Sequence, residues 1–218
     1  MKVRWIAVVV LALFPVVWLT CFLLGGDPAG EAPPVLAVND ALPGGVWAML
    51  RQAGWEERAG GGLGLWVSVR RQQLVGVEAG RVRFAYPCST AARGTGNREG
   101  SNQTPPGWHE VAERIGDGLP EGAVFVERKY TGRNWTGGAP TEKDYVLTRI
   151  LWLRGQEPGV NAGKGIDSYE RFIYIHGTPA EDRLGTPASM GCIRLSNRAV
   201  IAVFEAARPG TPVLITEW

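Results

Sequence analysis

Cysteine and histidine are scarce in this 218-residue chain: it has Cys21, Cys88 and Cys192, and only His109 and His176. No C-x-x-C or H-x-x-x-H spacing occurs among them, so the paired ligands of a zinc site are missing and neither metal nor cofactor is expected. Three cysteines exclude a disulfide-dense scaffold. For the two that follow residue 24, a single Cys88–Cys192 bridge is the plain expectation from the count alone. A surplus of one charge is also lacking. The formal net charge is +2, and Lys2 and Arg4 account for it, because acidic and basic residues balance after Leu24. That balance excludes a bulk basic field of the kind that holds nucleic acid. Internal repeats are absent, and "GTGNREG" has glycines without the strand–turn–helix setting of a phosphate loop.

One long apolar run is present. Trp5 to Leu24 holds no charged residue, and at about 1.5 Å per helical residue it would span roughly 30 Å, the thickness of a bilayer core. Bulky Trp18, Leu19 and Thr20 precede Cys21, and "GGDPAGEAPP" follows without an A-x-A pattern. Residues 1–24 are therefore expected to form an uncleaved signal anchor, with a cleaved signal as the alternative. Lys2 and Arg4 would stay on the cytoplasmic side and the remainder would lie outside.

Residues 25–62 are expected to be a linker rich in Gly, Pro and Ala, with a short helix within 45–61. From residue 63 the texture becomes that of strands. Segments 66–69, 73–77 and 81–86 alternate with turns as a meander, and further strands are expected over 122–128, 145–153, 171–178 and the closing "TPVLITEW". Residues 91–110, poor in aliphatics, are expected to be a surface loop ending near Trp108. Ser196 or Asn197 can cap a helix running to about Ala207, with Val200, Ile201, Val203 and Phe204 as its apolar stripe. The fold expected for 63–218 is a mainly β domain with one or two helices.

Within that pattern one pair of residues has chemical potential. "RFIYIHGT" reads as a strand with Phe172, Tyr174 and His176 on one face. Cys192 follows His176 by sixteen residues, across a loop rich in Gly and Pro. An imidazole beside a thiol generates a thiolate, a nucleophile at neutral pH. The N–H groups of Gly191 and Cys192 are candidates for an oxyanion hole. His109 and Cys88 are expected to be structural, Cys88 as a buried thiol.

The wording around this pair, His176-Gly177-Thr178 and then Ser189, Gly191, Cys192, Ile193 and Arg194, resembles the signature of the L,D-transpeptidase catalytic domain, the YkuD-like family. Upstream, Tyr86, Pro87, Ser89, Thr90, Thr104, Pro105 and Gly107 match a second family segment, and the resemblance covers about 63–216. It implies mixed β-sheets packed as a sandwich. It also implies a cysteine-dependent acyl transfer on peptidoglycan stem peptides, in the periplasm or cell envelope, serving cell-wall biogenesis. By that likeness Cys192 attacks the L-centred bond at stem position three. The thioester then passes to an amine of a second stem, giving a 3→3 cross-link, to an envelope protein, or to water. His176 would be base and acid, and the Gly177 carbonyl would orient it. Ser189 would pin the loop, Arg194 would hold a substrate carboxylate or brace the turn, and Tyr174 would wall the pocket.

One position departs from the pattern. The family normally has histidine directly before Gly-Cys, and here that place is Met190. If the missing histidine only shapes the loop, Met190 can substitute by packing. If it supplies a hydrogen bond, activity falls, and the runner-up reading is a weakened or inactive stem-peptide-binding module or a carboxypeptidase. A working nucleophile requires a free thiol. Iodoacetamide is therefore expected to label Cys192 in protein taken oxidised from its own envelope, and a stable Cys88–Cys192 disulfide there would remove the nucleophile reading.

Overall fold

Alternation of apolar residues along the strands sends neighbouring side chains into cores on opposite faces of the sheet. In the computed structural model, which describes residues 41–138 and 145–218, Leu65 and Val67 of β1 (Leu63–Ser68) enter one core while Trp66 between them enters the other. β10 (Pro212–Thr216) pairs in parallel with β1 and repeats the pattern, with Val213 and Ile215 on one side and Leu214 on the other. Burying each such Leu or Ile contributes about 2 kcal/mol.

The remaining strands are β2 (Gln73–Glu78), β3 (Arg81–Pro87), β4 (Gly107–Ile115), β5 (Ala123–Val126), β6 (Lys129–Asn134), β7 (Val146–Gly155), β8 (Tyr174–Gly177) and β9 (Ile193–Leu195). They run β3-β2-β1-β10-β4-β7-β5-β6, with β8 attached to β7 and β9 to β8. The domain is thus mainly β, a mixed sheet with few helices. The two layers expected of a sandwich belong to one continuous hydrogen-bonded sheet. Its β1–β2 residues Leu65, Val67 and Leu74 meet Leu151, Leu153, Ile175, Ile193 and Leu195 from β7, β8 and β9 in a single core.

Helix α3 (Asn197–Ala206) closes that core with Val200, Val203 and Phe204. Its N-cap is Ser196, whose hydroxyl accepts the Ala199 N–H at 3.1 Å. The opposite face of the sheet is covered by α1 (Gly44–Gln52) and α2 (Trp55–Ala59), in place of one short helix over 45–61. Val46, Leu50 and Trp55 pack against Trp66, Val75, Val77 and Trp108, and the Trp108 indole donates to the Ala53 carbonyl at 2.7 Å. Among the described residues no helix is long and apolar enough to cross a membrane. The anchor expected over 1–24 lies outside the described residues.

Strands 73–77, 81–86 and 145–153 stand within a few residues of where the sequence places them. Two short strands carry no sequence signal. β6 is exposed throughout its length, so it lacks the alternation that marks a half-buried strand, and β9 has only three residues. The strand expected over 171–178 begins only at Tyr174, because Phe172 adopts a left-handed φ of 57°.

His109, on β4, is 1% exposed. Its Nδ1 lies 2.9 Å from the Gly107 carbonyl and its Nε2 2.9 Å from the Ser168 hydroxyl. A carbonyl only accepts, so Nδ1 carries the proton and Nε2 accepts from Ser168. The ring ties the loop before β8 to the sheet. Burial is the chief cause that pushes its pKa down, from 6.5 to about 4; Arg171 pushes the same way, and the Gly107 carbonyl and Asp167 pull it up. Unfolding frees the ring to take a proton, so between these two values the unfolded chain binds more protons and stability falls as the pH drops. The loss is on the order of 3 kcal/mol at full protonation. Denaturant unfolding between pH 7 and pH 4 is expected to give a shallower decline for His109→Gln than for the native chain. Equal slopes would contradict this.

Candidate active site

The pairing of β8 with β9 brings the two chemical residues together. It is parallel, with Ile175 opposite Ile193, His176 opposite Arg194 and Gly177 opposite Leu195. Extending the register by one residue sets Cys192 opposite Tyr174. Ile175 and Ile193 point into the main core, while Tyr174 and Cys192 pack on the other face with Phe125, Ile150 and Trp152. Tyr174, His176 and Cys192 therefore share one face. His176 and Cys192 are diagonal neighbours on it, a spacing over which aromatic-sized side chains meet.

The thiol is held by backbone. The Tyr174 N–H donates to Cys192 Sγ at 3.4 Å, and Sγ donates to the Phe172 carbonyl at 3.4 Å. The left-handed turn at Phe172 aims that carbonyl at the sulfur. An N–H directed at sulfur favours the thiolate, since hydrogen bonding to the charged form stabilises it. Half-buried Arg171 adds a nearby cation. Burial pushes the Arg171 pKa down, while the charge of Cys192 pulls it up.

His176 is 1% exposed, and its Nδ1 lies 2.8 Å from the Gly177 carbonyl. The carbonyl accepts, so the proton sits on Nδ1 and the basic lone pair on Nε2. Glycine is required next door for space. A Cβ at Gly177 would stand 2.5 Å from Asn197 Oδ1 and 2.9 Å from the Leu147 carbonyl. That Asn197 amide is gripped by the Thr178 carbonyl at 3.0 Å and Glu181 at 2.8 Å, so it has little room to yield.

The loop before Cys192 is held by hydroxyls. Ser189 Oγ donates to the Cys192 carbonyl at 2.6 Å and accepts the Gly191 N–H at 3.2 Å. Gly191, at φ 133°, donates its N–H, expected at an oxyanion hole, to Ser189 Oγ. Its carbonyl accepts from Thr104 Oγ1 at 2.9 Å. Ser89 and Arg194 exchange two backbone hydrogen bonds, each of 2.9 Å. Arg194 is only 6% exposed, which suits bracing the turn and leaves its guanidinium unpresented to a substrate in solution. Met190 is 61% exposed, so it does not replace the family's histidine by packing.

The stretch 91–110, expected as a surface loop, gives way to β4 at Gly107 and is partly internal before it. Thr90, Ala91 and Thr104 are fully buried, and Arg171 donates to the Gly96 and Gln103 carbonyls at 3.1 and 2.7 Å. Sequence reasoning missed Arg171 and Trp152, which lie near the thiol, and Arg128, which rests on Trp152, Phe172 and Tyr174. Trp152 and Arg171 have only the aromatic richness of "LWLRG" and "YERFIY" as a sequence signal, and Arg128, in "VFVERKY", has none. Cys88 is free and fully buried in the main core, on the other face from Cys192, and burial pushes its thiol well up. Among the described residues no cluster of three or more His, Cys, Asp and Glu could hold a metal. A cavity of about 500 Å³ lined by Leu42, Trp47, Glu56 and Arg81 shares no residue with the thiol site.

The profile of the L,D-transpeptidase catalytic domain, YkuD, matches residues 64–215. YqjB of Bacillus subtilis strain 168, a protein named for the L,D-transpeptidases, is 38% identical over 117 residues. That match takes in 51% of this chain and 60% of YqjB, so the chain answers to only part of its relative's length. Among solved structures, an L,D-transpeptidase from Xylanimonas cellulosilytica aligns over 84% of this chain and 98% of its own, at 16% identity and a TM-score of 0.46. L,D-transpeptidase 3 from Mycobacterium tuberculosis aligns over 71% of this chain and 61% of its own, at 15% identity and a TM-score of 0.45. With well over half its length matched by the family profile, the chain belongs to the YkuD family of L,D-transpeptidase catalytic domains.

Proposed function

We propose that this chain is a cysteine acyltransferase of peptidoglycan stem peptides, working outside the cytoplasmic membrane and held there by residues 1–24. The observation that carries the reading is the shared face of β8 and β9. It holds a thiol with a backbone N–H directed at its sulfur, beside an imidazole whose proton is fixed on Nδ1.

The steps follow from those positions. Nε2 of His176 takes the thiol proton, and Cys192 Sγ attacks the carbonyl of the L-centred bond at stem position three. The C–N bond breaks, the imidazolium returns its proton to the leaving amine, and the terminal D-residue departs. An incoming amine then gives its proton to Nε2 and attacks the thioester carbonyl, releasing Sγ as thiolate. An amine from a second stem gives a 3→3 cross-link, an amine on an envelope protein gives attachment, and water gives trimming. Gly177 and Ser189 act here as positioning residues, and Tyr174 forms the wall beside the sulfur. A slow or non-catalytic stem-peptide-binding protein is the reading that exposed Met190 favours, since no second imidazole stands beside the thiol.

Intact-mass analysis of the protein incubated with a stem tetrapeptide is expected to show a thioester of the tripeptide on native protein and none on Cys192→Ala. Loss of general-base catalysis in His176→Ala is expected to slow its formation by about 10²–10⁴-fold. Met190→His is expected to speed it by up to about 10²-fold, the worth of one electrostatic contact in the transition state. Absence of thioester in both native protein and Met190→His would overturn the enzymatic reading. Mass spectrometry of the released muropeptides separates cross-linking from trimming.

A further inference from the structure

The hairpin of β5 and β6 turns through two residues, Glu127 and Arg128, with φ of 48° and 65°. Turns with both φ positive are the domain of Asn-Gly, and non-glycine residues there are strained. The turn delivers Arg128 onto an aromatic shelf. Its guanidinium carbon lies 4.9 Å from the centre of the Trp152 ring and 4.7 Å from that of Phe172, and one of its nitrogens is 3.4 Å from the Tyr174 hydroxyl. Phe172 and Tyr174 are also the two residues whose backbone groups hold the sulfur of Cys192. Arg128 therefore rests on the side chains of the residues that position the thiol.

The shelf orients the guanidinium without using it up. Of five N–H donors, one reaches Tyr174, and among the described residues no carboxylate forms an ion pair with Arg128. Glu127 acts on it only through space. A stacked guanidinium keeps an open, planar edge that matches a carboxylate by two parallel hydrogen bonds. Arg194, which the family likeness implies would hold a substrate carboxylate or brace the turn, is buried.

We propose that Arg128 is the anion subsite of this cleft, binding a carboxylate of the stem peptide whose carbonyl is presented to Cys192. This rests on the acyl-transfer reading for the identity of the ligand. Two carboxylates qualify chemically. One belongs to the terminal residue that is expelled, a single residue or about 3.5 Å of extended chain beyond the attacked carbonyl. The other is carried along the stem itself.

Binding measured calorimetrically in full-length Cys192→Ala removes any dependence on turnover. Three synthetic tetrapeptides serve as probes: one with all carboxylates free, one amidated at the terminus, and one amidated along the stem. Adding Arg128→Gln is expected to weaken the free peptide about tenfold or more, the effect of losing a charge-assisted pair. Arg128→Lys is expected to recover part of that loss, keeping the charge without the fork. The amidated peptide that no longer responds to Arg128→Gln identifies the carboxylate, and its unchanged binding reports that the variant is folded. Equal effects of Arg128→Gln on all three peptides, no effect on any, or no binding of any peptide would overturn the proposal. Thioester formation by the native protein is read separately, so failure of the acyl-transfer reading is distinguishable.

Discussion

Parallel pairing of two short strands is the constraint on which the rest of this site depends. Antiparallel strands can be joined by a two-residue turn, whereas parallel ones need a crossover of a dozen or more residues. The sixteen-residue interval from His176 to Cys192 is that crossover, and it returns the chain so that β9 lies beside β8 in register. The period of two then does the chemistry's sorting. Isoleucines at 175 and 193 turn to the main core, and Tyr174, His176 and Cys192 turn to the opposite face. A slip of one residue would bury the thiol in the core and expose the isoleucines, at a cost of several kcal/mol in lost burial.

Apart from a single 3₁₀ turn at Glu181–Arg183 the crossover has no regular element of its own, and Thr178 and Ser189 on it are buried. Partners for several of its backbone groups come from elsewhere in the chain. Thr104 reaches Gly191, Thr90 receives the N–H groups of Ala188 and Ser189, and Ser89 pairs with Arg194. The stretch 88–106 is thus a liner beneath the loop that carries Cys192, and buried backbone groups explain why it is rich in threonine and serine. Arg171 ties that liner to the turn at Phe172, where the thiol's carbonyl partner is set.

Legibility followed apolar patterning. β1, β2 and β7 were readable as short apolar runs buried on both faces, β3 by its alternation and helix α3 by its 3.6-residue stripe. β6 was not, since it is exposed along its length, and β9 was too short to show a period. Cys192, His176, Gly177 and Ser189 were legible as residue types at a spacing. The direction of the Gly191 N–H and the burial of Arg194 were not, because both depend on which hydroxyl or layer of the fold lies opposite.

By itself the sequence determined the chemistry available: one imidazole and one thiol at crossover distance, a methionine where the family has a second histidine, and no metal-ligand spacing. Tertiary structure alone decided how that chemistry is supported. It seated Arg128 on Trp152 and Phe172, buried Cys88 on the opposite face from Cys192, and divided the polar groups between loop bracing and the cleft. The physical reason is range. Side-chain alternation is written every two residues along the chain, whereas Thr104 and Gly191, or Arg128 and Tyr174, meet across dozens of residues and only after the sheet has closed.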